Sequence, residues 1–335
     1  MLFREFIAWL MPDGMLTYTF FPPPSKYDPR RDMPNLSGKV ALVTGQSGIG
    51  FEIAKQLVLK DAKVYIGARN KSRALDAVKQ LEQVVEAEGA KGEAIWLELD
   101  LGDLDSVKAA AEEFLSKEEQ LDLLFCNAGV MVPPLDQLTK QGYDLQWGTN
   151  TVGHYLLCLP ALRASHIATG VKPRVVHTSS EGHRLAPGKT GLDWASQQGG
   201  PDRDSFIKSA GKTGAPWVLY GQAKLGNVMV ANILQLSYGN ELVSMAVHPG
   251  LLDSEVGRSL PSWQTRVLGL FCYPTSMGAY TPLWGATSAE GAHFGSQYLV
   301  PWARVGNADK RSSDSATLDK LEKTLNRELA SYLAA

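Results

Sequence analysis

Tyr220 and Lys224 stand four residues apart in the segment YGQAK. The apolar residues that follow, Leu225, Val228, Met229 and Ile233, recur at helical spacing, so both polar side chains share one helix face. A phenol with a reference pKa of ~10 does acid–base work near neutrality only if its phenolate is stabilised by about 3 pKa units, roughly 4 kcal/mol. An ammonium ~4 Å away supplies about 1 kcal/mol in water and about 4 at an effective dielectric of 20. The pair therefore calls for a partly dry cleft. Taken alone, the spacing is also that of an ordinary exposed helix face.

Two further polar groups close β-branched or apolar runs. Ser179 and Ser180 end one in HTSSEG, and Asn127 ends another in CNAG. In an open α/β sheet the carboxyl edge of the strands is where ligands bind. Serine beside glycine is ordinary turn chemistry too, so weight falls on the joint occurrence. A third apolar run leads into TGQSGIG, Thr44 to Gly50, and then into a helical pattern. Strand, glycine turn and helix are the context in which such a motif carries meaning. Here Gly45, Gln46, Ser47, Gly48, Ile49 and Gly50 would bring backbone N–H groups and a helix N-terminus to a pyrophosphate. At the end of the second strand Ala68 occupies the place of the acid that binds a free ribose hydroxyl, and Arg69 follows. A guanidinium with no carboxylate beside it suits a 2′-phosphate, so NADP(H) is expected over NAD(H).

The elements that must position these groups alternate short strands with helices. Candidate strands are 39–44, 63–68, 94–99, 121–126, 174–178, 242–247 and 298–302. Helical spacing appears between them, in Ile53, Leu57 and in Val107, Ala111, Leu115. The pattern predicts βαβ crossovers and one seven-stranded parallel sheet with helices on both faces. Residues 1–36 read as an N-terminal extension with three prolines at 22–24. Residues 37–310 read as the dinucleotide-binding and catalytic domain, with 186–216 as an insertion and 251–295 as the wall of the substrate pocket. Residues 311–335 read as a C-terminal helix.

Composition narrows the function classes. The 335 residues carry 33 basic and 35 acidic side chains, a formal charge of −2, with 44% hydrophobic residues. That balance gives no footprint for nucleic acid and suits a packed soluble domain. Cys126, Cys158 and Cys272 match no CxxC pair or zinc spacing, and the six histidines form no HExxH, so three buried thiols and no metal are expected. The apolar run from Leu2 to Met11 would reach only ~15 Å as a helix, too short to span a bilayer. The uncharged stretch from Val267 to Ala289 is long enough, but Pro274 and Pro282 interrupt it. A cytoplasmic protein is expected, with weak peripheral membrane contact through the N-terminal segment as the contender.

Together the motifs resemble the short-chain dehydrogenase/reductase family over about residues 37–305. They are TGQSGIG, the DL pair Asp100 and Leu101, CNAG at 126–129, NTVGHY at 150–155, TSS at 178–180, YGQAK and HPG at 248–250. Within it, NLSGKVALVTG and YLVPWAR look like a fungal branch near retinol dehydrogenases and the WW-domain oxidoreductase. The resemblance implies a single Rossmann-like doubly wound domain with strand order 3-2-1-4-5-6-7. It makes Tyr220 the proton donor or acceptor, with Lys224 lowering its pKa, and Ser180 the holder of the substrate oxygen with Ser179 as fallback. Asn150 would support a water-linked proton relay to Lys224. Asp100 would meet the adenine amino group, while Leu101, Asn127, Ala128, Gly129, Pro249 and Gly250 would shape the cofactor cleft. Pairing into a homodimer through the Tyr220 helix and the one before it is implied as well. The chain departs from the family in the glycine turn, where only Gln46 and Ser47 separate the first two glycines, one residue fewer than usual.

The expected activity is hydride transfer between NADP(H) and a hydrophobic ketone, aldehyde or alcohol. A non-catalytic nucleotide-binding scaffold or sensor is the second reading, favoured by the short turn and opposed by the complete Asn150, Ser180, Tyr220 and Lys224 set. An epimerase or dehydratase is the third.

Overall fold

The five residues VALVT form β1 (Val40–Thr44) and are all buried, as a strand covered on both faces requires. The computed structural model describes residues 18–19, 21–253 and 272–333. Along it β1 is followed by α1 (Gly48–Val58), β2 (Lys63–Ala68), α2 (Lys71–Glu88), β3 (Glu93–Glu98), α3 (Leu104–Lys117) and β4 (Leu123–Cys126). Then come α4 (Gly153–Thr169), β5 (Arg174–Thr178), α5 (Pro201–Ala210), α6 (Ala215–Tyr238), β6 (Val243–Val247), α7 (Tyr280–Thr287), β7 (Tyr298–Val300), β8 (Arg304–Gly306) and α8 (Ser315–Glu328). The sheet order is β3-β2-β1-β4-β5-β6-β7-β8. The chain builds outward from β1 in one direction and then from β4 in the other, leaving a crevice at the carboxyl ends of these two neighbours.

Among the described residues the expected seven parallel strands are present, and an eighth corrects the count. The last strand stops at Val300, the chain reverses, and β8 returns antiparallel to β7. A three-residue strand carries too little alternation to be read from sequence.

Alternate residues of the strands feed two cores. Leu42, Tyr65 and Leu97 face α3, α4 and α6. Ala41, Val43, Val64 and Ile66 face α1 together with Tyr27, Met33 and Leu36. The chain before β1 is thus part of the core from Tyr27 onward, and the Tyr27 hydroxyl lies 3.0 Å from that of Thr287. The insertion is likewise ordered, with a single turn Trp194–Gln197 and helix α5, whose Arg203 makes a buried ion pair with Asp144 at 2.8 Å. The sulfurs of buried Cys126 and Cys158 lie 3.6 Å apart, whereas Cys272 is only partly buried, against expectation.

Helix α8 lays Leu318, Leu321 and Leu325 inward, an apolar stripe at helical spacing. Asn326 accepts from the Tyr155 hydroxyl of α4 at 2.8 Å, and Glu322 accepts from Ser237 of α6 at 2.7 Å. Helix α8 thus packs across α4 and α6 of its own chain. Among the described residues no helix is long and apolar enough to cross a membrane. The run 2–11 and residues 254–271, part of the expected substrate-pocket wall, lie outside the described residues.

Candidate active site

Helix α6 places Tyr220 and Lys224 on one buried face, 7% and 5% exposed. The Lys224 ammonium donates to the carbonyl of Thr178 at 2.9 Å, a strand-end acceptor that it shares with Asn227 Nδ2. It lies 5.8 Å from the Tyr220 ring centroid. Burial lowers the lysine to about 8 and raises the phenol to about 12, and the Ser180 hydroxyl is the group that pulls the phenol back down. The four-residue spacing does align the two stems, while the lysine head reaches the Thr178 carbonyl and the Ser180 hydroxyl is a neighbour that favours phenolate.

The two serines separate cleanly. Ser179 Oγ donates to the Lys224 carbonyl at 2.8 Å and is committed to the helix backbone. Ser180 faces Tyr220, its Oγ accepting the Gly182 N–H at 3.1 Å. Gly182 is needed there, because a Cβ would stand 3.0 Å from the Tyr220 ring.

Asn150 sits in a five-residue π-helical stretch, Gly148–Val152, ahead of α4. Such bulges occur often at functional sites. Its side chain is fully engaged with the Val130 backbone, accepting from the N–H at 2.8 Å and donating to the carbonyl at 2.9 Å. Its own carbonyl accepts from His154 Nδ1 at 2.9 Å. Since a carbonyl only accepts, His154 carries its proton on Nδ1, and Nε2 accepts from the Thr44 hydroxyl at 2.9 Å. Thr44 Oγ1 in turn receives the N–H groups of Asn127 and Ala128, both at 2.9 Å. Sequence reading missed His154 and Thr44 as members of the site. The only signal was a histidine one helical turn after Asn150.

The glycine turn closes one residue short because Gly45 (φ 96°) and Gly48 (φ 58°) both take left-handed backbone. Gly50 is forced by contact, since a Cβ would lie 2.3 Å from the Gly45 carbonyl and 2.7 Å from Asn127 Nδ2. Gln46, Ser47 and Ile49 complete the turn, and the Ser47 side chain makes no capping bond, so the first N–H groups of α1 stay open for an anion. Gly129 keeps clear the space between Asn150 and Lys224, where a Cβ would stand 2.9 Å from Asn150 Oδ1 and 3.6 Å from Lys224 Nζ. Together these cradles fit a dinucleotide laid across the carboxyl edge. Pro249 and Gly250 (φ 98°) follow β6 at that edge. Beyond β3, Asp100 Oδ1 accepts the Gly102 N–H at 2.9 Å, and Leu101 is buried.

Arg69 is exposed just past β2, but the expected absence of a nearby carboxylate is corrected. Its Nη1 lies 4.0 Å from Asp100 Oδ2. Parallel pairing of β2 with β3 brings the two strand ends side by side, a neighbourhood invisible in sequence.

Fold and site define a dinucleotide-binding α/β protein with a Tyr–Lys–Ser–Asn cluster at the carboxyl edge of its sheet. The comparisons agree. A family described as short chain dehydrogenase matches residues 39–190. A short-chain dehydrogenase/reductase of Armillaria gallica is 42% identical over 95% of this chain and 98% of its own. Retinol dehydrogenase 11 of Mus musculus is 32% identical over 77% of this chain and 78% of its own. Among solved structures, a short-chain type dehydrogenase/reductase from Mycobacterium marinum shares the fold with a TM-score of 0.61 at 20% identity, covering 80% of this chain and 96% of that one. The chain belongs to the short-chain dehydrogenase/reductase family of oxidoreductases.

Proposed function

We propose that the chain is an NADP(H)-dependent reductase or dehydrogenase that interconverts a hydrophobic ketone or aldehyde with its alcohol. The observation that carries this reading is the meeting of Tyr220, Ser180 and Lys224 between an open glycine turn and a strand-end crevice. The nicotinamide cofactor supplies the hydride chemistry when bound, and the protein supplies position and electrostatics. Ser180 and Tyr220 hold the substrate oxygen, and Tyr220 gives or takes its proton. Lys224 orients the ribose side of the cleft and, with a pKa near 8, exchanges a proton at working pH. Asn150 fixes Val130, and so the CNAG turn, at the cofactor's flank.

Arg69, exposed and paired only loosely with Asp100, supports NADP(H) over NAD(H), since an exposed pair of this kind is worth little and yields to a phosphate. Asp100 remains the candidate partner for the adenine amino group. Support for an apolar substrate comes from a groove of ≈ 430 Å³ lined by Val132, Pro133, Pro134, Leu135 and Pro216, with Lys212 at its side. Buried Gln146 joins its two walls, accepting from the Val132 N–H and donating to the Pro216 carbonyl, both at 2.9 Å. Pro216 opens the helix that carries Tyr220 one turn later. The test is NADPH oxidation against hydrophobic aldehydes and ketones, retinal included, for the wild type and Tyr220→Phe. The variant is expected to lose about 100-fold or more in turnover. Near wild-type rates in the variant reject the mechanism.

A further inference from the structure

The turn that presents Ser180 is gripped from the far end of the chain. The buried imidazole of His183 reaches the Ser180 carbonyl with Nδ1 at 2.6 Å and receives the Asp309 backbone N–H on Nε2 at 2.9 Å. A carbonyl only accepts and an N–H only donates, so the ring is neutral with its proton on Nδ1. No other tautomer satisfies both bonds. Burial, with Arg184 and Arg311 nearby and Asp309 opposing them, holds its pKa down to about 4. Tyr298 packs edge-on against the ring, with centroids 5.1 Å apart, and its hydroxyl lies 3.3 Å from Nδ1 while donating to Glu181 at 3.4 Å. His248 also lies close enough to interact with His183 and Arg184.

The same turn is held at other points. Arg184 pairs with Glu181 at 2.8 Å and donates to the Asn307 carbonyl at 2.8 Å. Arg311 donates to the carbonyls of Ala186 at 2.8 Å and Gly188 at 2.9 Å. Residues 307–311 thus form a strap across residues 180–188. His183 is the member of this contact that bonds to Ser180 itself.

We propose that His183 is a positioning residue. Its Nδ1-protonated ring fastens the backbone of Ser180 to the strap at Asp309, and this sets where the serine hydroxyl meets Tyr220 and the substrate oxygen. The inference rests on the reductase reading for its kinetic part alone, because the state of the ring is measurable without turnover. Misplacing a reacting group by ~1 Å costs up to about 100-fold in rate. The cofactor turn lies elsewhere on the sheet edge, so the loss falls on kcat and leaves the KM for NADPH unchanged.

Three substitutions separate the two bonds. His183→Asn keeps a donor at the Nδ1 position, His183→Gln keeps an acceptor near the Nε2 position, and His183→Phe keeps only the ring shape. Expected kcat values are about tenfold or more below wild type for all three, since each breaks the link between Ser180 and Asp309, with unchanged KM for NADPH. If His183→Phe does not fold, the Asn and Gln pair decides. In parallel, nitrogen NMR of histidine-labelled enzyme, with the signal assigned by its loss in His183→Asn, is expected to show a neutral Nδ1–H ring from about pH 5 to 9. An Nε2–H tautomer, a protonated ring in that range, or wild-type kcat in either His183→Asn or His183→Gln overturns the proposal. Failure of the wild-type enzyme to reduce any carbonyl overturns the reductase reading instead, while the NMR result still decides the state of His183.

Discussion

Lys224 shows what a reactive site costs at the scale of one side chain. Its pKa falls from 10.5 to about 8 through burial, so the folded protein holds the ammonium at a penalty of about 3 kcal/mol. Between pH 8 and 10.5 the unfolded chain binds more protons at this position than the folded one. The penalty is therefore complete below pH 8 and is relieved as the pH rises through that window. Lys224→Met is expected to abolish turnover yet stabilise the fold by on the order of 1–3 kcal/mol at pH 7, read by urea unfolding. Only one bond to Thr178 is lost, because Asn227 still serves that carbonyl. Unchanged or lower stability would show that the ammonium is better solvated than its burial implies. At the same scale, Arg69→Ala is expected to raise the KM for NADPH about 10- to 100-fold and leave that for NADH unchanged, since only the 2′-phosphate needs the guanidinium. Equal effects on both coenzymes would remove Arg69 from recognition.

Among the elements, the contact between α1 and the ends of β1 and β4 decides whether the crevice exists. Gly50 lets the helix touch the Gly45 carbonyl and the Asn127 amide, and no rotamer of a larger residue avoids that backbone oxygen. Gly50→Ala should push α1 off the strand ends, cost about 1–3 kcal/mol by overpacking and weaken NADPH binding by about tenfold or more. Fluorescence titration of NADPH measures the second effect, and retained affinity would mean that the turn can relax without closing. The π-helical stretch before α4 is the other such device. It turns the Asn150 side chain onto Val130 and its carbonyl onto His154, which ties the ends of β1 and β4 to α4.

For the molecule as a whole, acid is the expected weakness. Burial lowers His154 and His183 to about 4 and His177 and His248 to about 3, so four of the six histidines stay neutral in the fold. All four charge in the unfolded chain below its ordinary value of 6.5, and stability is lost as the pH falls through the window from there to about 4. Four protons taken up on unfolding correspond to about 5 kcal/mol per pH unit. Urea midpoints should drop steeply below about pH 6. A flat profile between about pH 6 and 5 would show these rings already protonated or exposed.

The sequence by itself determined the βαβ alternation, the glycine turn, and the placing of Asn127, Ser180, Tyr220 and Lys224 at strand ends or on one helix face. These properties are local, since hydrophobic period, turn chemistry and four-residue spacing are written in neighbouring residues. Tertiary structure alone decided which partner each group keeps. Lys224 goes to Thr178, Ser180 to Tyr220, Asp100 to Arg69, and α8 to α4. Those pairings join residues up to 171 positions apart. Strand register and helix docking create them, and neither is carried by any short stretch of the chain.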